Sequence, residues 1–206
     1  MRARPDWYLT SIFDFFLSSG SGGHIEMGDR QQIQRNHELV VMKRFVEQLG
    51  ASEGVHYELV IRPDPPDGIF KSVDKTIWIE VADVYRSADE AHEERSRVTP
   101  GESCFVHREH FIDEPDERLA IAMLDIIENK ISKESYRSVF REYGPGILIC
   151  CERDPLFDEF TVRRIDSVFK EKIPVLEKAD KGFFKEVYVY AAGWNRFGKL
   201  CEFTRT

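Results

Sequence analysis

Apolar residues recur along this chain in two alternating periods. In "DRQQIQRNHELVVMKRFVEQLG", Val41, Met42, Phe45, Val46 and Leu49 fall three or four residues apart. That spacing predicts a helix with Asp29 as its N-cap and Gly50 as its stop. Glu38, four residues before Met42, carries an acid along the apolar stripe, either into the core face or at its wet edge. The period then shortens to two. "HYELVIR", "GIFK" and "KTIWIEVADVY" are rich in β-branched and aromatic residues and are joined by short turns, which predicts an antiparallel meander of three strands. In the third strand Ile77, Ile79 and Val81 share one face while Trp78, Glu80 and Ala82 share the other.

A charged, irregular stretch follows from Arg86 to about Gly101, with a short helix in "DEAHEERS". Helical spacing returns from Pro115 to Tyr143, with Asp113 as candidate cap and Leu119, Met123, Ile126, Ile127, Tyr136, Val139 and Phe140 on the core face. "ILICC" is apolar throughout, as expected of a central strand buried on both faces. A helix in "FDEFTVRRIDSVFKEKI" and a hairpin of "KEVYVYAA" and "KLCEFT" around "GWNRFG" complete the chain. The order is helix, three strands, helix, strand, helix and hairpin, a mixed α/β domain.

Composition places limits on this picture. The 206 residues, 42% hydrophobic and 12% aromatic, suit one folded domain over residues 28–206. Residues 1–27 read as a flexible tail: "SSGSGG" is a linker by composition, Asp14 interrupts the only early apolar patch, and Met27 is an alternative start. No stretch is long and apolar enough to predict a membrane span. Cys104, Cys150, Cys151 and Cys201 form no CxxC pair, which suits reduced thiols and a cytoplasmic setting. A net charge of −8 provides no long-range attraction to nucleic acid, so such a partner would have to be held by bound cations or by a local basic surface. Arg163, Arg164 and Lys170 are the candidates for that surface.

The chemistry concentrates on three acids. Asp67 follows Pro66 at the start of the second strand, and Glu80 lies midway along the third, so an antiparallel turn brings their side chains together. Two carboxylates, with the Val81 backbone carbonyl as a third oxygen, suit a hard divalent cation, Mg²⁺ or Mn²⁺. A cation there can lower the pKa of a water and steady charge on a phosphodiester. Glu38 can complete the site or hold a second ion. "CFVHREH" offers Cys104, His107 and His110, with His92 upstream, as a weaker zinc alternative against ordinary surface histidines. Phosphate-loop, GxGxxG, GxSxG and HExxH motifs are absent from the sequence.

Element order and acid positions together resemble the PD-(D/E)XK nuclease superfamily over roughly residues 29 to 151. The matching residues are Glu38 in the first helix, Pro66 and Asp67 at the second strand, and Glu80, Val81 and Ala82 in the third. The resemblance implies a restriction-endonuclease-like core and metal-dependent hydrolysis of DNA or, less in keeping, RNA. Glu38, Asp67 and Glu80 would be its acids, with a homodimer as an open oligomeric alternative. Ala82 stands where the family has its lysine, which positions or deprotonates the attacking water. The family relocates this lysine in some members. Lys130, near the core-facing stripe of the following helix, is the expected substitute here, set against the reading that Lys130 and Lys133 simply extend into water. Lys71 and Lys75 flank the strands and can reach a phosphate, and Tyr136 reads equally as a core aromatic with a wet hydroxyl. The alternative reading, favoured by Ala82, is a catalytically inactive binding or assembly module on the same fold.

Overall fold

The structure is a computed structural model that describes residues 28–98, 114–152 and 157–203. Its elements run α1 (Gly28–Glu53), β1 (Glu58–Ile61), β2 (Gly68–Lys71), β3 (Thr76–Val84), α2 (Ala88–Val98), α3 (Pro115–Ile131), α4 (Arg137–Tyr143), β4 (Gly146–Glu152), α5 (Glu159–Ala179), β5 (Phe184–Ala191) and β6 (Arg196–Glu202). The six strands form one open sheet in the order β1-β2-β3-β4-β5-β6. β1, β2 and β3 pair antiparallel, β3, β4 and β5 pair parallel, and β6 returns antiparallel to β5. This is a mixed α/β fold with helices on both faces of the sheet.

The alternation within β3 decides which helix each side chain meets. Ile77, Ile79 and Val81 join Ile147, Ile149 and Cys151 of β4 beneath Val41, Met42, Phe45 and Val46 of α1. Trp78 and Ala82 join Leu148 and Cys150 on the opposite face, against Leu119, Met123 and Ile127 of α3 and Ile165 and Phe169 of α5. Every residue of β4 is buried, as a strand covered on both faces requires.

Two expected boundaries differ. The first helix continues through Gly50 to Glu53 and already includes Gly28, so Asp29 is not its cap and Gly50 is not its stop. Gly50 is needed for another reason: the chain folds back so that Val55 N–H donates to the Gly50 carbonyl at 3.0 Å, and a Cβ at Gly50 would lie 2.5 Å from the Val55 carbonyl oxygen. The turn itself is made by Gly54, at φ 71°. The expected single helix from Pro115 to Tyr143 is divided after Ile131. Lys133 is extended, a 3-10 turn spans Glu134–Tyr136, and α4 then begins. Two contacts favour the break: Ser132 Oγ donates to the Asn129 carbonyl, and the Lys181 N–H takes the Ile131 carbonyl at 3.3 Å. The break turns Tyr136 inward, stacked on Trp78 with ring centroids 5.7 Å apart. The expected cap Asp113 lies outside the described residues, and Glu114 occupies the N-cap.

Candidate metal centre

β2 pairs with β3 only as far as Gly68 opposite Ile79, whereas β3 continues to Val84 along β4. Beyond Ile79 the β2 side of β3 is therefore a notch in the sheet, where groups from the two faces can approach each other. Asp67, the residue before β2, occupies it. Its Oδ2 accepts the Val81 N–H at 2.7 Å, replacing the ladder bond that β2 no longer supplies. A strand residue's N–H and C=O leave on the same side, so the Val81 carbonyl also faces this notch.

Continuing the β2–β3 register by one residue sets Asp67 opposite Glu80. Glu80 is buried on the α3 face, and its Oε1 accepts from Lys130 Nζ at 2.5 Å and from the Tyr136 hydroxyl at 2.9 Å. The Lys130 and Glu80 side chains are 22% and 6% exposed, so this ion pair is largely withdrawn from water. Glu80 Oε2 is buried and has no hydrogen-bond partner among the described residues. A carboxylate oxygen left in that state is costly unless a cation or water reaches it.

Glu38 approaches from α1. Its Oε1 accepts from Gln34 at 3.0 Å and its Oε2 from Arg62 at 3.1 Å. Arg62 also donates to the Arg35 carbonyl at 2.7 Å and the Asp67 carbonyl at 3.0 Å, tying α1 to the turn that presents Asp67.

The electrostatics follow from this crowding. Burial first, then the carboxylates of Glu80 and Glu38, push Asp67 up from 3.8 to about 8, against the opposing effects of the Val81 N–H and Lys130. Burial likewise raises Glu38, with the Gln34 hydrogen bond and the Arg62 charge opposing and Asp83 and Glu80 adding to the rise. Burial and Glu80 hold the Tyr136 phenol protonated, so it remains a donor. Three carboxyl groups thus act on one another electrostatically, and Glu80 keeps an unmatched acceptor. Their donor atoms do not all lie within 4.8 Å of one another, so a hard divalent cation would take one or two of these carboxylates and complete its shell with water.

The sequence-based site residues Glu38, Asp67, Glu80 and Lys130 all come to this locale, although Glu38 is held by Arg62. The other lysines lie elsewhere: Lys75 pairs with Glu53 at 2.7 Å and lies over the Tyr57 ring, while Lys71 and Lys133 are exposed. Arg163, Arg164 and Lys170, the proposed basic surface, are paired with Glu159, Glu117 and Asp166. His92 is exposed on α2, and Cys104, His107 and His110 lie outside the described residues. Sequence reasoning missed Arg62 and the donor role of Tyr136. It also missed a group formed by His37, Asp83 and Cys151 on the α1 face of the sheet. Arg62 had no periodic signal, since two of its partners are 24 and 27 residues away in α1 and the third is the backbone carbonyl of Asp67. No helix among the described residues is long and apolar enough to cross a membrane. No protein-family model, curated protein or solved structure matches the chain.

Proposed function

We propose that the chain is a divalent-metal-dependent nuclease of the PD-(D/E)XK kind, acting on DNA in preference to RNA, with Asp67 and Glu80 as metal ligands. The observation that carries this reading is the Lys130–Glu80 contact. Ala82 leaves the motif position without a cation, and Lys130 from α3 brings an ammonium group to the acid two residues before it, on the same face of β3.

The division of labour follows from the contacts. Glu80 Oε2 and the Asp67 carboxyl are the oxygens available to Mg²⁺ or Mn²⁺, with the Val81 carbonyl beside them. When bound, such a cation supplies positive charge for the phosphodiester and acidifies water. Lys130 holds Glu80 in its rotamer and would supply positive charge to a phosphoryl oxygen brought to that carboxylate. Tyr136 donates to the same oxygen as Lys130, which leaves the acceptor capacity of Glu80 Oε2 unused. Glu38, restrained by Arg62, supports the site from the opposite face and biases Asp67 toward its protonated form, so binding of a cation there would require loss of that proton. In the hydrolysis, water oxygen bonds to phosphorus, the ester P–O bond breaks, and the departing oxygen leaves protonated.

The competing reading, an inactive module, is favoured by Ala82 and by the occupation of both Glu38 oxygens. A cleavage assay separates the two. Single- and double-stranded DNA and RNA are incubated with Mg²⁺ or Mn²⁺ and either the wild type or Glu80→Ala. The nuclease reading expects metal-dependent cutting that falls about 100-fold or more in the variant. An inert wild type on every substrate would leave the binding-module reading.

A further inference from the structure

On the α1 face, away from the Lys130–Glu80 pair, three side chains of different chemistry meet. His37 comes from α1, Asp83 from β3 and Cys151 from β4. Asp83 and Cys151 are register partners on adjacent parallel strands, and His37 lies above them. His37 Nε2 is 3.4 Å from Asp83 Oδ1 and 3.5 Å from Cys151 Sγ, and all three donor atoms lie within 4.8 Å of one another.

Both contacts converge on the same ring nitrogen. A catalytic relay would place the carboxylate on one imidazole nitrogen and the thiol on the other, and one N–H cannot serve both partners along its axis. A shared cation satisfies all three at once. Tetrahedral zinc, with bonds of about 2.0–2.1 Å to nitrogen or oxygen and about 2.3 Å to sulfur, separates its ligands by about 3.3 Å for N···O and about 3.5 Å for N···S. The His37 distances match those two edges.

We propose that His37, Asp83 and Cys151 form a zinc site, distinct in chemistry from the all-oxygen centre at Asp67 and Glu80. The thiolate and imidazole select a borderline-soft ion over Mg²⁺. Cys151 is fully buried, whereas the His37 and Asp83 side chains are 27% and 22% exposed, so an ion can reach the group from the His37 and Asp83 side. Bound zinc would staple α1 to β3 and β4 and so fix the helix that carries Glu38.

Co²⁺ titration of the full chain provides the test, because a cysteine ligand gives a near-ultraviolet thiolate-to-cobalt charge-transfer band and tetrahedral cobalt gives intense visible bands. In the wild type both signals are expected to correspond to a single bound Co²⁺, whatever further Co²⁺ the oxygen ligands of Asp67 and Glu80 take up without a thiolate band, and to disappear when Zn²⁺ is added to saturation. Glu80→Gln and Cys104→Ser should retain them, whereas His37→Gln and Cys151→Ser should lose them. His37 is partly exposed, so its variant remains informative if the buried cysteine change impairs folding, as circular dichroism would reveal. A wild type without the thiolate band, a band that survives in His37→Gln, or a band abolished by Cys104→Ser would overturn the assignment.

Discussion

At the scale of single residues, the Glu80 carboxylate is buried, paired on one oxygen and unmatched on the other. Removing Lys130 leaves Glu80 charged without its partner, so Lys130→Met should destabilise the chain by about 3 kcal/mol in urea unfolding, and adding Glu80→Gln should recover most of that loss. Equal stability of the single and double variants would show that the pair is not buried in solution. Asp67 provides a pH signature. Its folded-state pKa is raised from 3.8 to about 8, so folding retains a proton that the unfolded chain releases. Its contribution to stability is full below the lower value and is lost as pH rises toward the higher one. The metal-free protein should therefore weaken across that interval in urea titrations, and Asp67→Asn should flatten the decline. Mg²⁺ should bind more tightly as pH rises through the same interval. The three acids were legible in the sequence because their spacing put them on predicted elements. Arg62 was not, because its partners in α1 lie across the fold and no periodicity links them.

At the scale of elements, the notch beside β3 exists because β2 is short and β3 long, and this explains how acids from both faces meet. Strand identity and the facing of β3 could be read from alternation, and the burial of β4 from its unbroken apolar run. The break after Ile131 could not, because helical spacing continues through it and one of the two contacts that favour it comes from Lys181, far along the chain. One packing feature is testable here. A Cβ at Gly146 would lie 2.3 Å from the Trp78 ring, and Trp78 Nε1 donates to the Gly144 carbonyl at 2.8 Å. Gly146→Ala should push the indole against Tyr136 and cost about 2 kcal/mol or more, read as a lower urea midpoint. An unchanged midpoint would mean that the Trp78–Tyr136 stack is loose, and the positioning of Glu80 through Tyr136 would lose its support.

At the scale of the whole molecule, a chain of net charge −8 whose proposed basic surface is already paired with acids has little electrostatic attraction for a polyanion. Under the proposed nuclease function, bound divalent cations would be the means by which a phosphodiester approaches the acids, so metal dependence is central to that proposal. The charge was plain in the sequence, but the pairing of Arg164 with Glu117 of another helix became visible only with the fold. The most direct test is the rate at which the wild type, Lys130→Ala, and Lys130→Ala combined with Ala82→Lys cut plasmid DNA in Mg²⁺ or Mn²⁺. The single variant should lose about 100-fold or more, and a lysine introduced at position 82 should regain part of the activity. Cutting by Lys130→Ala at the wild-type rate, or no cutting by the wild type with either metal, would contradict the proposed function.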